Sequence, residues 1–391
     1  MTVPPTTSTS APVPVPSTPP TSHRAGSRVT RRGLIGAAVA LVAGAAVAPV
    51  ARADTLSETV AADTAAPEPG TTYETFPRTR AETATGEAPV EVAFPIGYVG
   101  VRWTGTREAT GGRIRLIDAD GGKGAWKPLS GDGCSDSDGG ALLIPVDRAS
   151  GYELRAPDGA TELRSLAVDT TRGPMRAVAV PRDTTRVRGV AYLTRAAWGA
   201  DEKLRFGSDG KEISPQTYHP FQTLTVHHTA TANGDADPAA TVRALYQVHA
   251  ITNDWGDIGY HFLIDEAGRI YEGRYSGETA TPAHDEDNKL VTAFHVLSHN
   301  PGNLGIALIG NLTSQGPTAA ARDALTTLLR SMVRMHGVDP EAKVTYTSPT
   351  TGRTREVHEI SGHRDWMATE CPGGVMHGEL AALRKAVAAG G

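Results

Sequence analysis

Leu224-Thr225-Val226-His227-His228-Thr229-Ala230 is the stretch on which the fold turns. A β-branched run entering a turn predicts a buried strand, and the two-residue period of a strand sends His227 and His228 to opposite faces. Only one of the pair can then serve a site on a given side. Far down the chain, Ser361-Gly362-His363-Arg364-Asp365 and Thr369-Glu370-Cys371-Pro372-Gly373 add another imidazole and a thiolate. Nitrogen and sulfur donors suit zinc, and three protein ligands leave one tetrahedral position open, as a hydrolytic site requires, whereas a closed structural site needs a fourth. Taken singly, a His beyond a strand or a lone Cys is more simply a packed residue. Spacing by itself proves little here.

Outward from this strand, the pattern alternates between strands and helices. Asp237-Pro238 offers a capping carboxylate and a proline for the first helical position, followed by Val242, Leu245 and Tyr246 at helical spacing, with His249 beside that stripe as a packing residue. Two apolar runs around Glu266-Ala267-Gly268 read as a hairpin. Residues 303–311 read as a buried strand, almost continuously apolar apart from Asn303 and Asn311 at its ends, as expected of a sheet covered on both faces. Thr318 to His336-Gly337 predicts a helix with Leu325, Leu328, Leu329 and Met332 on one side. A strand over 357–360 delivers His363, and a helix over 376–388 ends the chain. Interleaved elements of this kind give an α/β class, a mixed central sheet flanked by helices, with the metal at one sheet edge.

The N-terminal half has a different character. With 391 residues the chain is long enough for two domains and a tail, and its net charge of −5 gives no basic footprint for nucleic acid. Residues 1–30 are rich in Pro, Thr and Ser, a composition that stays disordered. Thr30-Arg31-Arg32-Gly33-Leu34-Ile35 opens a Gly-, Ala-, Val- and Leu-rich run to Val50, followed by Ala51-Arg52-Ala53. This reads as a twin-arginine export signal cleaved after Ala53, too short for a membrane span. The mature protein is therefore expected to be secreted or wall-associated, without a stable membrane anchor. Residues 54–85 read as a disordered linker or propeptide.

Short alternating segments at 98–103, 113–117, 141–144, 151–155 and 163–168, set between Gly- and Asp-rich turns, predict a small all-β domain over 86–185, a sandwich or barrel. Its role is open between a wall-binding or substrate-positioning module and a structural or inhibitory appendage. The Gly131–Gly139 loop has oxygen donors but no calcium-loop register, so a flexible acidic loop is expected. A Cys134–Cys371 disulfide would take the thiolate from the metal; Cys134 is thus a free thiol or an intermolecular link. The second domain spans 186–391.

Five motifs in order, VHHTA, DIGYHFLID, GRIYEGR, NLGIALIGN and SGHRDWMATECPG, resemble the zinc-dependent N-acetylmuramoyl-L-alanine amidase family, which includes the peptidoglycan recognition proteins and amidase-type phage lysozymes. The resemblance covers about residues 190–390. It implies zinc held by His227, His363 and Cys371, with Tyr260 at the developing oxyanion and Thr369 as a second catalytic residue where phage enzymes place a Lys. It implies His228, His261, Arg274, His295 and Asn300 as substrate-binding residues. The substrate implied is peptidoglycan, the bond the lactyl amide between N-acetylmuramic acid and L-alanine, and the protein a monomer. The alternative is a non-catalytic peptidoglycan receptor; such members lose the Cys, which is present here as Cys371.

Overall fold

The computed structural model describes residues 68–129, 139–279 and 281–390. The export signal, the first part of the linker and Cys134 with its acidic loop lie outside the described residues.

Thr223–His228 is a strand buried at every position. It runs parallel to Asn303–Leu308 on one side and to Ile360–Gly362 on the other. Phe262–Ile264 extends the sheet in parallel, and Ile270–Glu272 closes it as an antiparallel edge through the expected hairpin. The five-stranded order therefore begins at Ile270–Glu272 and ends at Ile360–Gly362. Covered on both faces, these strands need no polar alternation, which is why 304–308 reads as an unbroken apolar run.

Three helices cover the sheet. Helix α1, Pro238–Gln247, starts with Asp237 accepting from the Ala240 amide and continues as one π-type turn, Val248–Thr252. Helix α2, Ala319–His336, is capped by Thr318, which accepts from the Ala321 amide, and ends at Gly337 in the left-handed region. Helix α3, Gly374–Ala388, closes the chain. Leu325, Leu328, Leu329 and Met332 of α2 and Met376, Leu380 and Leu383 of α3 pack with Leu224, Val226, Ile306 and Ile360 on one face. On the other face, Val242, Leu245 and Tyr246 of α1 pack with Leu263, Ala307, Ile309 and Cys371. Each large side chain so buried contributes about 1.5–3 kcal/mol.

The N-terminal region corrects one expectation. Residues 71–77 and 80–85 are strands, not linker. Thr71–Pro77 pairs with Met175–Pro181, and Arg80–Thr85 pairs with Glu162–Asp169. Their polar composition had hidden them, because each needs a distant partner to satisfy its backbone. Arg80–Thr85 opens a six-stranded antiparallel sheet in which Val90–Thr104 and Gly140–Arg155 are the long central strands. The two short segments read at 141–144 and 151–155 are thus parts of one long strand. Ile96, Val99, Val101, Trp103, Tyr152 and Leu154 form its own core.

The opposite face of this sheet is partly covered. Leu143, Leu166 and Val168 join the cluster built on α1 and Trp198. Polar ties reinforce the seam: Tyr98 Oη lies 2.9 Å from Thr241 Oγ1, and Arg176 donates to the Gly199 and Ala200 carbonyls at 2.7 and 2.8 Å. Among the described residues no helix is long and apolar enough to cross a membrane.

Candidate metal centre

Because His227 is the penultimate residue of its strand, it leaves the sheet at the carboxyl end, where parallel sheets present their functional groups. His363 follows directly on the neighbouring edge strand, in a short helical turn over His363–Asp365. That turn is fixed by Asp365, which accepts from the Gly362 amide at 2.8 Å and lies 2.8 Å from His377 Nε2 of α3. The chain then folds back, with the Arg364 amide donating to the Cys371 carbonyl at 2.9 Å. As a result the donor atoms of His227, His363 and Cys371 lie within 4.8 Å of one another, all three residues buried.

The orientation of His227 follows from a chain of hydrogen bonds. Its Nδ1 lies 3.5 Å from Cys371 Sγ, and its Nε2 lies 3.0 Å from His295 Nδ1. His295 Nε2 in turn lies 2.9 Å from the Asn303 carbonyl oxygen. A carbonyl only accepts, so His295 carries its proton on Nε2 and accepts at Nδ1. His227 therefore donates from Nε2, which leaves its Nδ1 lone pair aimed at the donor group. Ligating histidines are commonly held this way, by a partner that fixes the tautomer. Burial, followed by the neighbouring His227 and His261, holds His295 well below the usual imidazole range and keeps it neutral. Gly305 makes the room: a Cβ there would stand 2.6 Å from the His295 ring.

Two imidazoles and a thiol drawn together, with no fourth ligand grouped with them among the described residues, fit zinc in an open coordination geometry. The His228 amide lies 3.4 Å from Cys371 Sγ, a donor that favours a thiolate. Tyr260 is 2 % exposed, and its ring stands 5.3 Å from that of His227. Thr369 is half-buried, and its hydroxyl accepts from the Cys371 amide at 3.2 Å, so its visible work is to hold the Cys371 turn.

The five expected substrate-binding residues are all buried, none more than 8 % exposed. His228 points to the other face of its strand, where Nδ1 accepts from the Leu312 amide at 3.1 Å. His261 accepts from the Gly305 amide at 2.9 Å and lies 2.7 Å from the Val291 carbonyl; burial depresses its pKa to about 3. Arg274 donates to Ser214 Oγ at 2.8 Å beneath the Phe294 ring. Asn300 Oδ1 accepts from the His295 and Val296 amides at 2.8 and 2.7 Å. His295 supports His227 as described. These polar side chains satisfy buried backbone and ring groups that would otherwise cost about 1–3 kcal/mol each. Motif position alone cannot separate that duty from ligand contact.

His249 is a packed residue, as expected, accepting from the Gly259 amide at 3.1 Å. Met367 escaped the sequence reading: its sulfur lies 3.0 Å from His363 Nε2. Its place between His363 and Cys371 was the available signal.

Residues 217–374 match the family model described as N-acetylmuramoyl-L-alanine amidase. The human protein of that name is 33% identical over 159 residues, covering 39% of this chain and 23% of that protein. A peptidoglycan recognition protein of Trichoplusia ni is 29% identical over 163 residues, covering 41% of this chain and 74% of that one. Among solved structures, Drosophila peptidoglycan recognition protein SD is 26% identical over 48% of this chain and 92% of that one, with a TM-score of 0.36. The chain spans about a quarter of the length of the first curated relatives it matches, 23% and 26%. That family match runs over the segment carrying all three donors, so residues 217–374 are similar to the N-acetylmuramoyl-L-alanine amidases and the peptidoglycan recognition proteins.

Proposed function

We propose that this protein is an exported, zinc-dependent amidase that hydrolyses the lactyl amide joining N-acetylmuramic acid to L-alanine in peptidoglycan. The observation that carries this reading is the convergence of His227, His363 and Cys371 within 4.8 Å at the carboxyl end of a parallel sheet. A bound zinc supplies Lewis-acid polarisation of the scissile carbonyl and acidifies water for attack on it.

The chain's own residues do the rest. His227, His363 and Cys371 would hold the metal, and His295 with the Asn303 carbonyl keeps the His227 lone pair directed inward. Tyr260, buried against the His227 ring, would donate to the oxyanion that develops on the carbonyl. Thr369 keeps the Cys371 amide in place and so positions the sulfur. Export follows from the Arg31-Arg32 signal read in the sequence.

Cys371→Ser tests the reading. It should abolish release of stem peptide from purified cell wall, followed by mass spectrometry of the fragments, while wall binding persists. A wild-type protein that binds wall but releases nothing would make it a receptor instead, and full activity in the variant would overturn the ligand assignment.

A further inference from the structure

The turn joining Val90–Thr104 to Arg113–Ile117 in the N-terminal sheet reaches the loop that carries two of the three donors. Arg107, exposed on that turn, points Nη1 at Met367 Sδ, 3.9 Å away, and the same sulfur lies 3.0 Å from His363 Nε2. One thioether thus separates a guanidinium of the N-terminal sheet from the metal centre. We propose that Arg107 is a specificity residue that binds a carboxylate on the peptide side of the substrate, a cation lent to the site by the N-terminal sheet. This rests on the amidase reading above.

Three observations support it. First, a thioether is a weak acceptor and leaves the five guanidinium donors largely unused. The other arginines around this loop are committed: Arg364 to Glu370 Oε2 at 3.1 Å, and Arg355 to the Asp365 carbonyl at 2.7 Å. Among the described residues, Arg107 has no carboxylate within ion-pair distance.

Second, the turn is held in place. Gly105 sits at φ +91°, where a Cβ would meet the Gly159 carbonyl at 2.8 Å. The Asp158 amide donates to the Thr110 carbonyl at 2.8 Å and the Thr161 amide to the Thr104 carbonyl at 2.9 Å. The sheet itself is pinned to the α1 region by Arg164 on Asp254 at 2.8 Å and by Arg102 on the Thr252 carbonyl at 3.3 Å. The backbone that carries Arg107 is thus fixed, and its guanidinium has the fork that matches a carboxylate.

Third, the substrate's charge lies on one side. In an N-acetylmuramoyl peptide the lactyl carboxyl is consumed in the amide, so the sugar is neutral and the anionic groups belong to the peptide. A cation at the rim therefore reads the leaving peptide.

The test uses the full zinc-loaded chain with two probes, N-acetylmuramoyl-L-alanyl-glutamate with free carboxylates and its fully amidated counterpart. The wild type should bind the acidic probe about ten-fold more tightly, measured by calorimetry. Arg107→Ala should erase that ratio by raising KM for the acidic probe with kcat unchanged, and Arg107→Lys should keep part of it. Loss of binding to both probes alike in Arg107→Ala, or an unchanged ratio, would overturn the proposal while leaving the amidase reading intact. A chain that discriminates between the probes through Arg107 but cuts neither would sustain this inference and sink the amidase reading. Failure to discriminate in the wild type would end the inference outright.

Discussion

At the residue scale, the site depends on a tautomer. His227 can present Nδ1 only while His295 accepts from its Nε2, and His295 can accept only because its own Nε2 proton is taken by the Asn303 carbonyl. Replacing His295 by Ala removes the acceptor and leaves His227 free to rotate or switch tautomer. The expected outcome is about a 10- to 100-fold loss of zinc affinity in a chelator competition, the usual range for loss of such a partner. An unchanged affinity would show that the ring contact is only packing.

At the element scale, the edge of the main sheet is tied by a single residue. Glu359 joins the strand Thr354–His358 to Ile360–Gly362; its amide donates to the Ala342 carbonyl, and its carbonyl accepts from the Leu224 amide and the Thr223 hydroxyl. With both backbone groups fixed, the side chain is forced inward and is 2 % exposed. Burial, assisted by the nearby Asp339 charge, raises its pKa from 4.5 to about 7. The native carboxyl therefore keeps its proton while the unfolded chain releases it, and stability falls as pH rises through that window. The loss reaches up to about 3 kcal/mol above pH 7. Glu359→Gln should flatten this slope in denaturant titrations at pH 5 and pH 8, with the variant the more stable protein at pH 8. A slope unchanged by the substitution would place the titration elsewhere.

At the scale of the whole molecule, the N-terminal sheet and the metal-bearing half share a core in which Leu166 and Val168 meet Val242 and Val248. Leu166 is 1 % exposed, so Leu166→Ala should cost about 2–5 kcal/mol. Since the cluster belongs to both parts, hydrogen exchange should show the strands Val90–Thr104 and Thr223–His228 losing protection together in that variant. Separate loss in the N-terminal sheet alone would mean that the seam is weak. The same seam is what brings Arg107 to the rim, so a function read from residues 217–374 alone would miss it.

What the sequence determined by itself was local. Asp237-Pro238, Thr318 and Gly337 announced the helix ends, because capping is chemistry between near neighbours, and the apolar runs at 224–226 and 304–308 announced buried strands. The motif order marked His227, His363 and Cys371 as one group. Only the tertiary structure showed that His228, His261, Arg274, His295 and Asn300, which occupy motif positions, are all buried, the first four against partners distant in the chain. Only it revealed the strands over 71–85, whose partners lie 79 to 110 residues away, and the approach of Arg107 to Met367 across 260 residues. The physical reason is the same in each case. A cap or an alternating pattern is satisfied within a few residues, but burial and hydrogen-bond satisfaction are properties of whatever the folded chain brings alongside.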